Sequence, residues 1–197
     1  MDIEIKKKNL PSRLLALVLA AVLILTGCGV HNGELDKAME LRAQLLTAQG
    51  CSFDAVITAD FSDKTYSFTV AYQSDSDGSV TFEVKAPDTI EGITGTISAD
   101  GGKLTFDDKA LAFELLADGQ VTPVSAGYLL VKTLRSGYLR GCGTRGDEIQ
   151  VLIDDSYQED ALNLDIRLGE DHVPVSADIL YKDRRFLSLE VKNFRIL

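Results

Sequence analysis

From Cys51 onward the chain alternates with a period of two, in segments so short and so closely spaced that antiparallel strands are the economical solution. Phe53, Ala55, Ile57 and Ala59 alternate with Ser52, Asp54, Thr58 and Asp60, with Val56 the one departure. Tyr66, Phe68, Val70 and Tyr72 alternate with Thr65, Ser67 and Thr69, and Val80, Phe82, Val84 and Ala86 with Ser79, Thr81, Glu83 and Lys85. Successive side chains of a strand point to opposite faces, so each segment has one apolar and one wet side. The connections "SDK" at 62–64 and "SDSDG" at 74–78 are turn sequences short enough to make consecutive strands neighbours. The pattern continues through Ile93, Gly95 and Ile97, then Leu104 and Phe106 across the "DGG" turn, then Leu111, Phe113 and Leu115. It resumes at Ile149, Val151 and Ile153, at Leu162 to Leu168, and in a hairpin of Val175 to Tyr181 and Phe186 to Val191 across "KDRR"; the terminal "NFRIL" reads as one more edge strand. About ten strands with short links predict a meander.

Two segments break this period. Leu35, Ala38, Met39, Leu45 and Leu46 repeat at helical spacing, Glu34 lies in the first turn and Gly50 is a stop, which predicts a helix over Leu35 to Gln49. The stretch "TPVSAGYLLVKTLRSGYLRG", Thr122 to Gly141, carries a second helical pattern: Pro123 suits a first-turn position, and Val124, Gly127, Leu130, Val131 and Leu134 fall on one side. An antiparallel sheet with one apolar face must cover that face. The predicted fold is therefore α+β and mostly antiparallel: a single strongly curved sheet, a half-barrel, whose concave face is covered by the two helices.

The first segment stands apart from this domain. Lys6, Lys7, Lys8 and Arg13 precede an apolar run from Leu14 to Ile24, shorter than a membrane span, and small residues follow. Leu25-Thr26-Gly27-Cys28 resembles the lipobox of bacterial lipoproteins, in which a diacylglyceryl group is attached to the Cys and the chain is cut before it. The expected organisation is thus a signal peptide at 1–27, a tether at 28–33 beginning with lipidated Cys28, and one domain at 34–197. The whole chain carries 20 Lys+Arg against 30 Asp+Glu. Removing the signal's four basic and two acidic residues leaves 16 against 28, a net charge of −12. Such a surface excludes nucleic acid as a partner and repels anionic headgroups, so membrane attachment is expected through the lipid. The expected location is the extracytoplasmic face of the cell membrane.

The order of a lipoprotein signal, a helix, about six strands, an inserted helix and further strands resembles the half-barrel of the LolA, LolB and LppX lipoprotein carriers and the related sensor domain of RseB. More narrowly, "ITGTI" at 93–97, "LTFDDKALAFELLADGQVTPVSA" at 104–126 and "DSYQEDALNLDIRL" at 155–168 are similar to uncharacterised lipoproteins of Gram-positive bacteria. The carrier resemblance implies a curved sheet cupping a cavity under a helical lid.

No catalytic constellation stands out. The two histidines are His31, in the tether, and His172, in the acidic turn "GEDHVP". Ser125 in "PVSAG" lacks the first glycine of a nucleophile elbow. The pairs Asp107-Asp108, Asp154-Asp155 and Glu159-Asp160 lie at or near turns, and Asp75 and Asp77 lack the late Glu of a calcium loop. Neither an enzyme, a metal nor a cofactor is expected. Cys51 and Cys142 remain, each at a strand start; a disulfide and two separate thiols are both open. The leading expectation is a lipid or other hydrophobic ligand held in a cavity lined by Phe68, Phe82, Phe106, Phe113, Leu130, Val131 and Leu134. The alternative is a filled core in a module that meets another envelope protein.

Overall fold

The computed structural model describes residues 33–98 and 121–197. The strands expected around Phe106 and Phe113, the Asp107-Asp108 pair, His31 and the lipidation site Cys28 lie outside these residues. Helix α1 spans Gly33–Thr47, followed by strands β1 Cys51–Asp60, β2 Thr65–Ser74, β3 Val80–Ala86 and β4 Thr94–Ile97. A 3-10 turn at Pro123–Ser125 leads into α2 Ala126–Ser136, and then come β5 Tyr138–Arg145, β6 Glu148–Asp154, β7 Leu162–Leu168, β8 Pro174–Tyr181 and β9 Arg184–Ile196.

The nine described strands make one curved antiparallel sheet in the order β4-β3-β2-β1-β9-β8-β7-β6-β5, an open half-barrel with helices on its inner face. The alternation seen in the sequence becomes the two faces of that sheet. In β1 the residues Cys51, Phe53, Ala55, Ile57 and Ala59 are all buried, and β6 and β7 alternate just as strictly. The departure at Val56 costs little because it stands half-buried on the outer face.

Two expectations are corrected. The topology is not one meander but two, β1 to β4 and β5 to β9, joined where β9 lies between β1 and β8. "NFRIL" is therefore not an extra edge strand. It is the end of a thirteen-residue β9, whose Ile196 and Arg195 pair with Cys51 and Ser52 at the centre of the sheet. The hairpin before it turns on Lys182 and Asp183 at φ 50° and 62°, the left-handed pair of a two-residue turn whose twist matches its strands.

The second helix also ends sooner than its pattern predicts. At Ser136 the chain leaves α2, Gly137 N–H still bonds Thr133 O at 2.8 Å, and Tyr138 and Leu139 already pair with Asp154 and Ile153 of β6. Gly137 permits this abrupt change: a Cβ there would clash with Ile153 Cγ2. Leu129, which lies off the line of Val124, Gly127, Leu130, Val131 and Leu134, is buried with them, because α2 is enclosed on more than one side.

Cys51 and Cys142 are free thiols. They sit on β1 and on the edge strand β5, with β9, β8, β7 and β6 between them in the sheet, so no bridge joins them. The Cys51 thiol is fully buried and lies 3.3 Å from Ser74 Oγ, which also accepts the Cys51 backbone N–H at 2.8 Å.

Candidate functional site

The inner face of the sheet and the helical cover meet along α2. Its N-terminal end is set by Ser125, whose hydroxyl donates to Thr122 O at 2.7 Å and accepts Thr122 N–H at 3.2 Å. Two residues on, Gly127 lies flat on the ring of Tyr72, where a Cβ would stand 2.6 Å from ring carbons. That ring cannot swing aside. It stacks on Phe53 at 5.1 Å, Phe53 stacks on Phe194 at 5.5 Å, and the buried Tyr72 hydroxyl donates to Val124 O at 3.0 Å.

The C-terminal ends of α1 and α2 hold each other through two arginines. Arg42 of α1 donates from Nε to Leu134 O at 2.7 Å, and from Nη2 to Gly137 O at 2.9 Å and Thr133 O at 3.2 Å. In return Arg135 of α2 donates to Leu45 O near the end of α1 at 2.8 Å and to Ser76 O in the β2–β3 turn at 2.6 Å. The last carbonyls of a helix lack partners within it and carry the negative end of its dipole, so a guanidinium answers both needs. Burial pulls the Arg42 guanidinium down from its ordinary value, yet an arginine keeps its charge throughout the working range of pH.

Beneath this cover, a void bordered by described residues is small. The void bounded by Ala38, Leu41, Leu134, Leu139, Val151 and Leu168 holds about 10 Å³. That is room for at most one water, against the several hundred cubic ångströms a ligand pocket needs. Of the residues expected to line a cavity, Phe82, Leu130, Val131 and Leu134 are buried among the core, and Phe68 is half-buried against it. Phe106 and Phe113 lie outside the described residues.

The large depression lies on the other face. Across β4, β3, β2, β1 and β9 the outer side chains form an open trough of about 830 Å³. Strand register lays them in two rows: Thr94, Glu83, Ala71 and Asp54, then Thr96, Thr81, Gln73, Ser52 and Arg195. Asn193 donates to Asp54 at 2.8 Å at one wall. Hydroxyls, amides and charges of both signs thus face solvent together, a surface able to pair with the polar groups of an extended partner. In the sequence these residues read only as the wet side of strands. Arg42 and Arg135 gave no motif either; their one signal is a position in the last turns of predicted helices.

The remaining candidates are structural. Asp75 Oδ1 accepts the N–H groups of Asp77 at 3.0 Å and Ser79 at 2.9 Å, a turn closed on its own backbone. Asp155 accepts Leu162 N–H at 2.8 Å, and Asp154 accepts from Asn163 at 2.7 Å. His172 occupies a turn at φ 58°. Of the basic hairpin, Arg184 reaches Ser62 at 2.6 Å and Arg185 lies 3.5 Å from Asp178. Among the described residues no group of three His, Cys, Asp or Glu could hold a metal ion, and no helix is long and apolar enough to cross a membrane.

Two buried acids predict how stability depends on pH. Burial pushes the Cys51 thiol above its ordinary 9.0 and the Tyr72 phenol above its ordinary 10.0. The folded state therefore keeps both protonated where the unfolded chain ionises them. Their contribution is complete below pH 9 and is lost as pH rises first past the unfolded thiol's value and then past the phenol's. Thermal melts should show little slope from these groups between pH 7 and 9 and a fall above. Tyr72→Phe should lower stability at neutral pH by about 1 kcal/mol for the lost hydrogen bond while reducing the fall above pH 10.

No protein-family model matches the chain, and no curated protein matches it in sequence. Solved structures do. A DUF1329 family protein from Desulfovibrio piger is 11% identical, with 83% of this chain and 92% of that one covered at a TM-score of 0.40. A LolA superfamily protein from Nitrosomonas europaea is 8% identical, covering 81% and 93% at 0.38. A putative outer membrane lipoprotein-sorting protein domain from Vibrio parahaemolyticus is 7% identical, covering 82% and 91% at 0.37.

Proposed function

We propose that this chain is a non-catalytic binding module of the cell envelope, held outside the cytoplasmic membrane by lipid on Cys28, which meets a polar segment of another envelope protein through the outer trough. The contrast between the two faces carries this reading: about 10 Å³ under the helices against about 830 Å³ outside them. The apolar stripes of α2 and the sheet form the core that keeps the trough's five strands in register. Specificity would come from paired polar groups, with Glu83, Asp54 and Arg195 fixing orientation.

The test is site-specific photocrosslinking in the native envelope. A crosslinker at Thr81, in the trough, should capture a defined partner, whereas one at Lys182, in the hairpin turn, should not. Reversing charge with Arg195→Glu should abolish the Thr81 adduct. Equal capture from both positions, or none, would remove the trough from the account.

One observation favours a second reading, in which a hydrophobic molecule enters between α2 and the sheet. Hydrogen bonds hold α2 at its two ends, through Tyr72 at one and the paired arginines at the other, while its buried side is apolar apart from Thr133, whose hydroxyl bonds back to Leu129 O. Releasing these ties would expose a continuous apolar face. This reading requires the core to open, and a ligand found in the isolated protein would establish it.

A further inference from the structure

The described residues include six large apolar side chains left exposed, and half of them stand on α1: Leu35 at 37%, Met39 at 46% and Leu46 at 53%. Successive helical residues advance by about 100°, so these three fall within about 40° of one another, a single line along the helix. The buried side is distinct from it, carrying Leu41 and Leu45 with Ala38. Asp36, Lys37, Glu40 and Gln44 occupy the opposite, polar flank. A fourth exposed side chain, Leu197, stands beside the end of α1: its N–H bonds Gly50 O at 3.0 Å and its carbonyl accepts Gln49 N–H at 3.1 Å.

This ridge begins within reach of the anchor. Five residue steps separate Cys28 from Gly33, and fully extended chain spans at most about 3.6 Å per residue. The start of α1 therefore stays within about 18 Å of the acylated sulfur, less than the length of a helix of this size, about 22 Å. We infer that α1 lies along the bilayer, with Leu35, Met39, Leu46 and Leu197 seated in the interfacial region. The inference rests on the lipid anchor proposed above. It also revises the expectation that attachment comes from the lipid alone: the acidic surface repels headgroups over most of the body, but one apolar line breaks it beside the tether. Because α1 packs on the inner side of the sheet, this orientation turns the outer trough toward the aqueous phase.

The chain contains no Trp, so single Trp reporters can be read without background. The full acylated protein is reconstituted in phosphatidylcholine vesicles with or without brominated acyl chains, carrying Met39→Trp, Leu46→Trp or, on the polar flank, Gln44→Trp. All three positions are exposed, so the fold tolerates the reporters. The expected result is a blue-shifted emission at positions 39 and 46, quenched several-fold more by brominated lipid than at position 44. Equal, weak quenching at all three would overturn the orientation while leaving the anchor intact. Failure of the protein to float with the vesicles would overturn the anchor, and the orientation with it.

Discussion

Gly127→Ala destabilises the protein, although alanine is the better helix former by about 1 kcal/mol. The gain in propensity is set against a clash: the new methyl would stand 2.6 Å from two carbons of the Tyr72 ring. Overpacking of this kind costs about 1–3 kcal/mol when the neighbour cannot retreat. Here it cannot, because Tyr72 is wedged on Phe53 and tied to Val124 O. Net of the propensity gain, a loss of up to about 2 kcal/mol follows, or up to roughly 8 °C in melting temperature for a domain of this size. The cause is separable from backbone effects. In a Tyr72→Leu background the ring is gone, and Gly127→Ala should become neutral or stabilising, a departure from additivity that only direct contact produces.

Arg42→Ala should cost about as much. One guanidinium donates to three carbonyls where α2 ends, of which Thr133 O also accepts the Gly137 N–H, and a hydrogen bond from a charged donor contributes about 1.5–3 kcal/mol. Water reaches part of this site, so a net loss of about 2 kcal/mol is the expectation from equilibrium denaturation. Lysine keeps the charge but not the planar fork, and Arg42→Lys should recover less than half of the loss. Arg135 fastens the same two helices from the other side. If the pair acts as one clasp, the double variant loses less than the two single losses added together, and amide exchange in the last turn of α2 accelerates in either single variant.

The strands were legible because burial on one face imposes a period of two, and the residues of β1, β6 and β7 obey it almost without exception. Their order was not. Whether β9 ends at an edge or enters the centre depends on pairing with Cys51 and Ser52, more than a hundred residues away, and no local pattern encodes that. The end of α2 was hidden for a related reason: Tyr138 and Leu139 continue a helical spacing, but pairing with β6 and the close approach of Gly137 to Ile153 override it. The stripe on α1 was read as one apolar face, and the structure divides it into a buried line and an exposed one. Apolar residues announce that something will cover them without saying whether it is the same chain. The clasp stayed invisible because Arg42 and Arg135 act through backbone carbonyls, which carry no sequence signal at all.

The same ambiguity separates a core from a cavity, since Phe82, Leu130 and Leu134 would be apolar in either. The most direct test is native mass spectrometry with organic extraction of residues 29–197, exported without the lipobox so that no covalent lipid is present. A filled interior gives a single mass equal to the polypeptide and no apolar molecule in the extract. A stoichiometric hydrophobic ligand that dissociates on unfolding would contradict it and establish the interior as a binding site.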